Sequence, residues 1–133
     1  MFTNEEEFDF NSEEYNYTDK LITISVRSIG VPENLPSNGI VLDLKGVLNI
    51  YSANPLKAIL ANLINVGKTK VYVYMKHLDN IDSSGLGGLI AVQTKLKKMD
   101  GALRIIEPSE KTRSVLKLTN LENYFHMSEV FIP

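Results

Sequence analysis

From Lys20 onward the hydrophobic pattern switches repeatedly between a period of two and a period near 3.6, and this alternation restricts the chain to a layered α/β fold. LITISVR (21–27) is a β-branched, alternating run, and IVLDLKG (40–46) is another; the Pro-, Asn- and Gly-rich VPENLPSNG between them reads as a loop, so the two strands are expected to be antiparallel neighbours. Pro55 then opens LKAILANLINVG with proline in the first turn; Leu56, Ile59, Leu60, Leu63 and Ile64 share one helical face, and Gly67 is the stop. In KVYVYMK (70–76), Val71, Val73 and Met75 alternate with Tyr72, Tyr74 and Lys76, which fits two unlike faces or a central strand covered on both.

A second helix follows in SGLGGLIAVQTKLKKMDG. Its Leu86, Leu89, Ile90, Leu96 and Met99 recur at helical spacing, Lys95, Lys97 and Lys98 gather where the helix dipole favours cations, and Gly101 ends it. LRIIEP (103–108) is a further strand. SEKTRSVLKLTN reads as a third helix, capped by Ser109, carrying Val115, Leu116 and Leu118, and closed by Asn120. The last stretch, LENYFHMSEVFIP, has apolar residues enough to pack but no period that assigns it. The expectation is one α/β domain, a mixed β-sheet flanked by helices, with right-handed strand–helix–strand crossovers.

Composition narrows the function. A chain of 133 residues, 44% hydrophobic, suits one core that buries about two-thirds of the unfolded surface. There is no cysteine, which excludes disulfides and thiolate metal sites and points to a reducing cytoplasm. His77 and His126 are the only histidines and have no ligand-spaced partner, so neither a metal nor another cofactor is expected. No apolar run approaches the roughly 18 residues of a membrane span, and the acidic start does not read as a secretion signal.

The net charge of −2 is unevenly spread: residues 1–19 hold seven acids and no base, leaving nine acids against fourteen bases in the rest. The acidic stretch is expected to be a flexible extension, with residues 20–133 forming the domain; alternatively Phe2, Phe8, Phe10, Tyr15 and Tyr17 dock it on a basic surface of this chain or of a partner. The excess base is too dilute for a nucleic-acid site, and Tyr51, Tyr72 and Tyr74 read as sheet and core filling, not as a stacking platform. Neither GxxxxGK[ST] nor GxGxxG occurs, and no base stands at a spacing that would activate a serine, so no catalytic residue is assigned and an enzyme is not expected.

IDSSGLGGLI (81–90) is the unusual segment, because glycine at a helix start costs about 1 kcal/mol relative to alanine. Read from the residues alone, Asp82 or Ser83 caps the helix and the glycines permit close packing on the sheet. Ser83 is small and expected to be exposed, while Gly85, Gly87 and Gly88 would leave an approaching molecule unobstructed.

DSSGLG, preceded by a strand and followed by an amphipathic helix, resembles the signature of STAS domains, in particular the bacterial anti-sigma factor antagonists. LKGVLNIYSANPL is similar to the family segment in which a strand ends in glycine and is followed by a Leu-Asp pair and a Thr or Ser before the first helix; GALRIIEPSEKTRSVLKLTNLENYF is similar to its closing strand and helix. The resemblance covers residues 20–132 without insertion. It implies that Ser83 is a phosphoacceptor, that the unphosphorylated form binds an anti-sigma factor serine kinase and so frees a sigma factor, and that a PP2C-type phosphatase restores it. Asp82, Ser84, Gly85, Leu86, Gly87, Asn49 and Ser52 would form the surroundings of that site. Ser84 is a rival acceptor, expected to turn inward.

Asn49 departs from the family aspartate and reads as a turn residue; Ser52 reads as a helix cap. The alternative is an STAS interaction module that is not phosphorylated, a scaffold subunit of a stress-signalling assembly or of a lipid-transport complex. The residues assign no oligomeric state.

Overall fold

The computed structural model describes residues 9–133. Its elements in chain order are β1 (Tyr17–Thr18), β2 (Ile22–Val26), β3 (Gly39–Leu48), α1 (Ile50–Asn65), β4 (Lys70–Ile81), α2 (Ser83–Lys97), β5 (Ala102–Ile106) and α3 (Glu110–Leu118). The strands lie in sequence order in a single sheet, antiparallel from β1 to β3 and parallel from β3 to β5. This is the expected mixed sheet, with β2 and β3 as antiparallel neighbours.

One face of the sheet carries the main core, where Ile24, Leu42, Val73 and Ile105 meet Leu60 and Leu63 of α1, Leu89 and Leu96 of α2, and Leu116 of α3. Each such side chain contributes about 1.5–3 kcal/mol when taken fully out of water. The opposite face is also covered at its centre: Val41, Tyr72, Tyr74 and Ile106 lie beneath Leu35 and Phe131, with the Tyr72 and Phe131 rings 4.6 Å apart. Arg27 stacks 3.7 Å above the Tyr74 ring and is held there by a two-pronged bond to Asp43 at 2.7 and 3.0 Å. Of the two readings of β4, the central strand covered on both faces is the correct one.

Strand β4 also runs to Ile81, five residues beyond the Lys76 expected from its alternation. Its register against β3 slips between Asp43 and Lys45 and again between Gly46 and Val47. Each bulge inserts an extra residue into β4, so Met75, Leu78 and Ile81 are buried at a spacing of three while the pairs between them are exposed. A strand that abandons period two ceases to look like one.

Two helix boundaries differ from expectation for the same kind of reason. Helix α1 begins at Ile50, capped by Asn49, so Pro55 lies inside it instead of in the first turn and removes one intrahelical hydrogen bond. In α2, Met99 falls after the last turn and is 46% exposed, outside the buried face. Asp100, with φ 56°, makes the left-handed turn one residue before Gly101, which was expected to end the helix and whose own role is proximity: a Cβ there would lie 2.2 Å from the Thr69 carbonyl oxygen. Helix α3 has its Ser109 cap, and Asn120 (φ 57°) turns the chain after it, but Leu118 is 84% exposed and takes no part in packing.

The unassigned C-terminal stretch closes the margin of β5. Ile105 donates to the Phe125 carbonyl and accepts from Ser128, which itself accepts from Glu107. Gln93 of α2 completes this closure from the buried side, accepting from the Leu103 amide at 2.6 Å and donating to the carbonyls of Leu103 and Tyr124 at 2.8 and 2.6 Å.

At the other margin, residues 9–18 belong to the packed body. Tyr15 is 3% exposed, and Asn16 accepts from the Val26 amide while donating to the carbonyls of Phe10 and Ser12. Phe10 lies 5.6 Å from the Lys68 ammonium, so one aromatic residue of the acidic stretch meets a base of the body. The expected extension coincides with the described structure only over residues 9–19; residues 1–8, including Phe2 and Phe8, lie outside the described residues.

Gln93→Leu keeps the side-chain volume but strands a buried amide and the Tyr124 carbonyl, and is expected to cost about 2–3 kcal/mol in chemical denaturation. Leu118→Ala, on the exposed side of α3, should change stability by less than about 0.5 kcal/mol.

Candidate functional site

Strands β3 and β4 run parallel and end at one level, with Leu48 opposite Ile81. The Asp82 amide donates to the Leu48 carbonyl at 3.1 Å, so α1 and α2 start side by side at one end of the sheet. Each helix start carries roughly half a positive charge from its aligned peptide dipoles.

The first start is closed upon itself. Asn49 is the cap of α1: its Oδ1 accepts from the amides of Tyr51 and Ser52 at 2.9 and 3.2 Å, while Ser52 Oγ accepts from the Asn49 amide at 2.9 Å and donates to the Val47 carbonyl at 2.6 Å. This reciprocal pair is a capping box. Asn49 is therefore more than a turn residue. Ser52 is fully buried and its hydroxyl is committed on both sides.

The second start is left open. Asp82 is the cap of α2, accepting from the Gly85 amide at 2.9 Å through its side chain and from Leu86 through its carbonyl. Of the two cap candidates, then, the carboxylate takes the role and Ser83 becomes the first helical residue. Asp82, Ser83 and Ser84 are all exposed, and neither serine hydroxyl bonds to another group among the described residues. The expectation that Ser84 turns inward is not met, because the inward turn is made one residue later by Gly85 and Leu86, both buried. In a helix the first four amides lack intrahelical partners; with that of Asp82 bonded to the Leu48 carbonyl and that of Gly85 to the Asp82 carboxylate, those of Ser83 and Ser84 remain to meet an anion.

The glycines divide by role. A Cβ on Gly85 would lie 2.3 Å from the Leu48 carbonyl oxygen, so only glycine lets α2 start this close to β3. Gly88 faces α1, where a Cβ would stand 3.4 Å from Ala53 Cβ, whereas Gly87 is exposed with nothing within 4 Å. Close packing and an unobstructed surface are thus both present, at different positions.

Ile50 and Tyr51, 61% and 75% exposed, form the first turn of α1 at the same end of the sheet and escaped the sequence reading, which placed Tyr51 in the core. The Asn49–Ser52 capping box encloses both residues, so recognising it would have put Tyr51 in the first helical turn instead of in the sheet or core. Tyr72 and Tyr74 are buried as expected. His77 and Asp79 are exposed on the bulged part of β4, and no cluster of three His, Cys, Asp or Glu able to hold a metal ion occurs among the described residues.

Comparison with known proteins places the fold. A Thermotoga maritima protein is 27% identical over 92 residues, 68% of this chain and 81% of the relative. The anti-sigma-B factor antagonist of Staphylococcus aureus is 26% identical over 84 residues, covering 63% of this chain and 78% of that protein. Among solved structures, an anti-sigma factor antagonist from Mycobacterium paratuberculosis matches the fold with a TM-score of 0.67 at 19% identity, covering 83% of this chain and 87% of that one. The anti-sigma factor antagonist SpoIIAA in its unphosphorylated form matches at 0.64 and 19% identity, over 80% and 88% of the two chains. Residues 31–131 match the STAS domain family throughout. With its mixed sheet, its paired helix starts and this match across most of its length, the chain belongs to the STAS domain family.

Proposed function

We propose that this protein is an anti-sigma factor antagonist whose binding is switched by phosphorylation of Ser83. Unphosphorylated, it sequesters an anti-sigma factor that is also a serine kinase and so frees a sigma factor; a PP2C-type phosphatase resets it in the cytoplasm. The observation that carries the proposal is the exposed Ser83 hydroxyl at the first position of α2, spared from capping because Asp82 performs it. Ser52, the other hydroxyl of the site, is buried and doubly bonded, which leaves it the reciprocal member of the Asn49 capping box and not an acceptor. The relatives named anti-sigma factor antagonists support the same reading, and SpoIIAA has been solved both unphosphorylated and phosphorylated.

Electrostatics explains why a phosphate on Ser83 spares the fold and disrupts binding. The amides of Ser83 and Ser84 and the helix dipole offset new negative charge within the domain, each such contact contributing typically about 0.3–1 kcal/mol. A docked partner lacks that compensation for its own carboxylates. One like-charge pair about 4 Å apart at an effective dielectric of about 20 costs ~4 kcal/mol, and a phosphate brings about −1.5 to −2 charges. Since every ~1.4 kcal/mol is tenfold in affinity, release follows even after salt reduces the repulsion severalfold. No rearrangement of the domain is needed.

Asn49 bears on the kinase and not on the fold. Asparagine and aspartate cap helices about equally well, so the neutral residue maintains α1 while removing a negative charge beside the phosphorylation site.

Incubation with the cognate anti-sigma factor kinase and ATP, followed by peptide mapping, is expected to place a single phosphate in the 77–95 segment at Ser83. Ser83→Ala should fold, resist modification and bind constitutively, whereas Ser83→Asp should fold and bind at least about tenfold more weakly. An Asp variant that binds as tightly as the parent would refute the switch, leaving the unswitched scaffold. Ser52→Ala should lose about 1–2 kcal/mol of stability through its cap yet still be phosphorylated at Ser83.

A further inference from the structure

Helices α1 and α2 together contain no aspartate or glutamate, although the chain has 16 acidic residues. Between them, away from the serines, lies an open groove of ≈ 240 Å³ floored by Ala61, Ile64, Ala91 and Val92 and bordered by Lys57 of α1 and Lys95 of α2. Both lysines are exposed and neither is ion-paired among the described residues. A carboxylate-free pair of helices with an apolar floor and a lysine on each rim has a definite complement.

We infer that this groove docks an acidic amphipathic helix of a partner protein, which inserts a bulky apolar side chain between Ile64 and Val92 and sets carboxylates against Lys57 and Lys95. The volume falls below the roughly 300–1,000 Å³ of small-molecule sites, but accommodates one or two side chains. A helix fits better than a strand, because the walls are themselves helices whose backbone groups are satisfied internally and offer nothing to pair with an extended chain. Two lysines are too few to hold an anionic membrane, where each contributes about 1 kcal/mol. The groove does not involve the Ser83 hydroxyl, so this contact supplies affinity that phosphorylation does not directly oppose.

The test is an amide-shift titration of the isotopically labelled full chain with a synthetic helix carrying leucines on one face and glutamates on the other. A counterpart with lysines for glutamates and phosphatidylglycerol vesicles serve as the comparison arms. The expected result is saturable shifts centred on Ala61, Ile64, Ala91 and Val92 with the glutamate helix alone. The dissociation constant should rise at least about tenfold in Lys57→Glu/Lys95→Glu, whose melting temperature stays near that of the parent, and stay within about twofold in Ser83→Asp. Absence of these shifts, equal binding of the lysine helix, undiminished binding by the double variant, or shifts with vesicles only would each overturn the inference. None of these outcomes depends on whether Ser83 is phosphorylated.

Discussion

The carbonyl oxygen of Leu48 is the contact on which the arrangement of the site depends. It accepts the Asp82 amide at 3.1 Å, and Gly85 lies against it so closely that a Cβ would stand 2.3 Å away. Through this one oxygen the end of β3 sets the height at which α2 begins. Asp82 can then reach the Gly85 amide as a cap, and Ser83 is carried to the outside. The glycine therefore acts at a distance from its own surface: it permits the approach that exposes a residue two positions earlier. The fold and the exposure of Ser83 share a single steric requirement.

The bulges of β4 complete this arrangement. Without the two inserted residues, the parallel register of β3 and β4 would carry the strand ends past one another, and Ile81 would not face Leu48. Bulges concentrate near functional sites because they re-aim side chains without altering the rest of the ladder. Here they bring two helix starts to one level, one sealed by its capping box and one left open to solvent.

Much of this was legible in the residues, and the failures have physical causes. The strands up to Met75 and the buried faces of α1 and α2 follow directly from periodicity, and the DSSGLG segment lies at the end of the sheet where α1 and α2 start. What escaped were features that depend on a partner distant in sequence. The continuation of β4 was hidden because a bulge replaces alternation by a spacing of three. The start of α1 was misplaced because proline in a first turn and proline in a later turn look alike until the Asn49–Ser52 box is recognised. Ser84 was assigned inward by counting residues, whereas the close approach of Gly85 to Leu48 decides which residue turns first. The packing of Tyr15 and Asn16 was masked by the acids around them, since composition averages over a stretch in which only two side chains need be anchored.

The Gln93 clamp on Leu103 has a further consequence for how such domains coexist. At one margin the Gln93 amide and the Phe125–Ser128 segment occupy part of the free side of β5; at the other, β1 and the Asn16 side chain pair with β2, and the outermost strand is only two residues long. Exposed strand margins are where neighbouring chains zip together. A domain with margins this short and this occupied resists cross-strand growth, and its encounters are directed to the helical side.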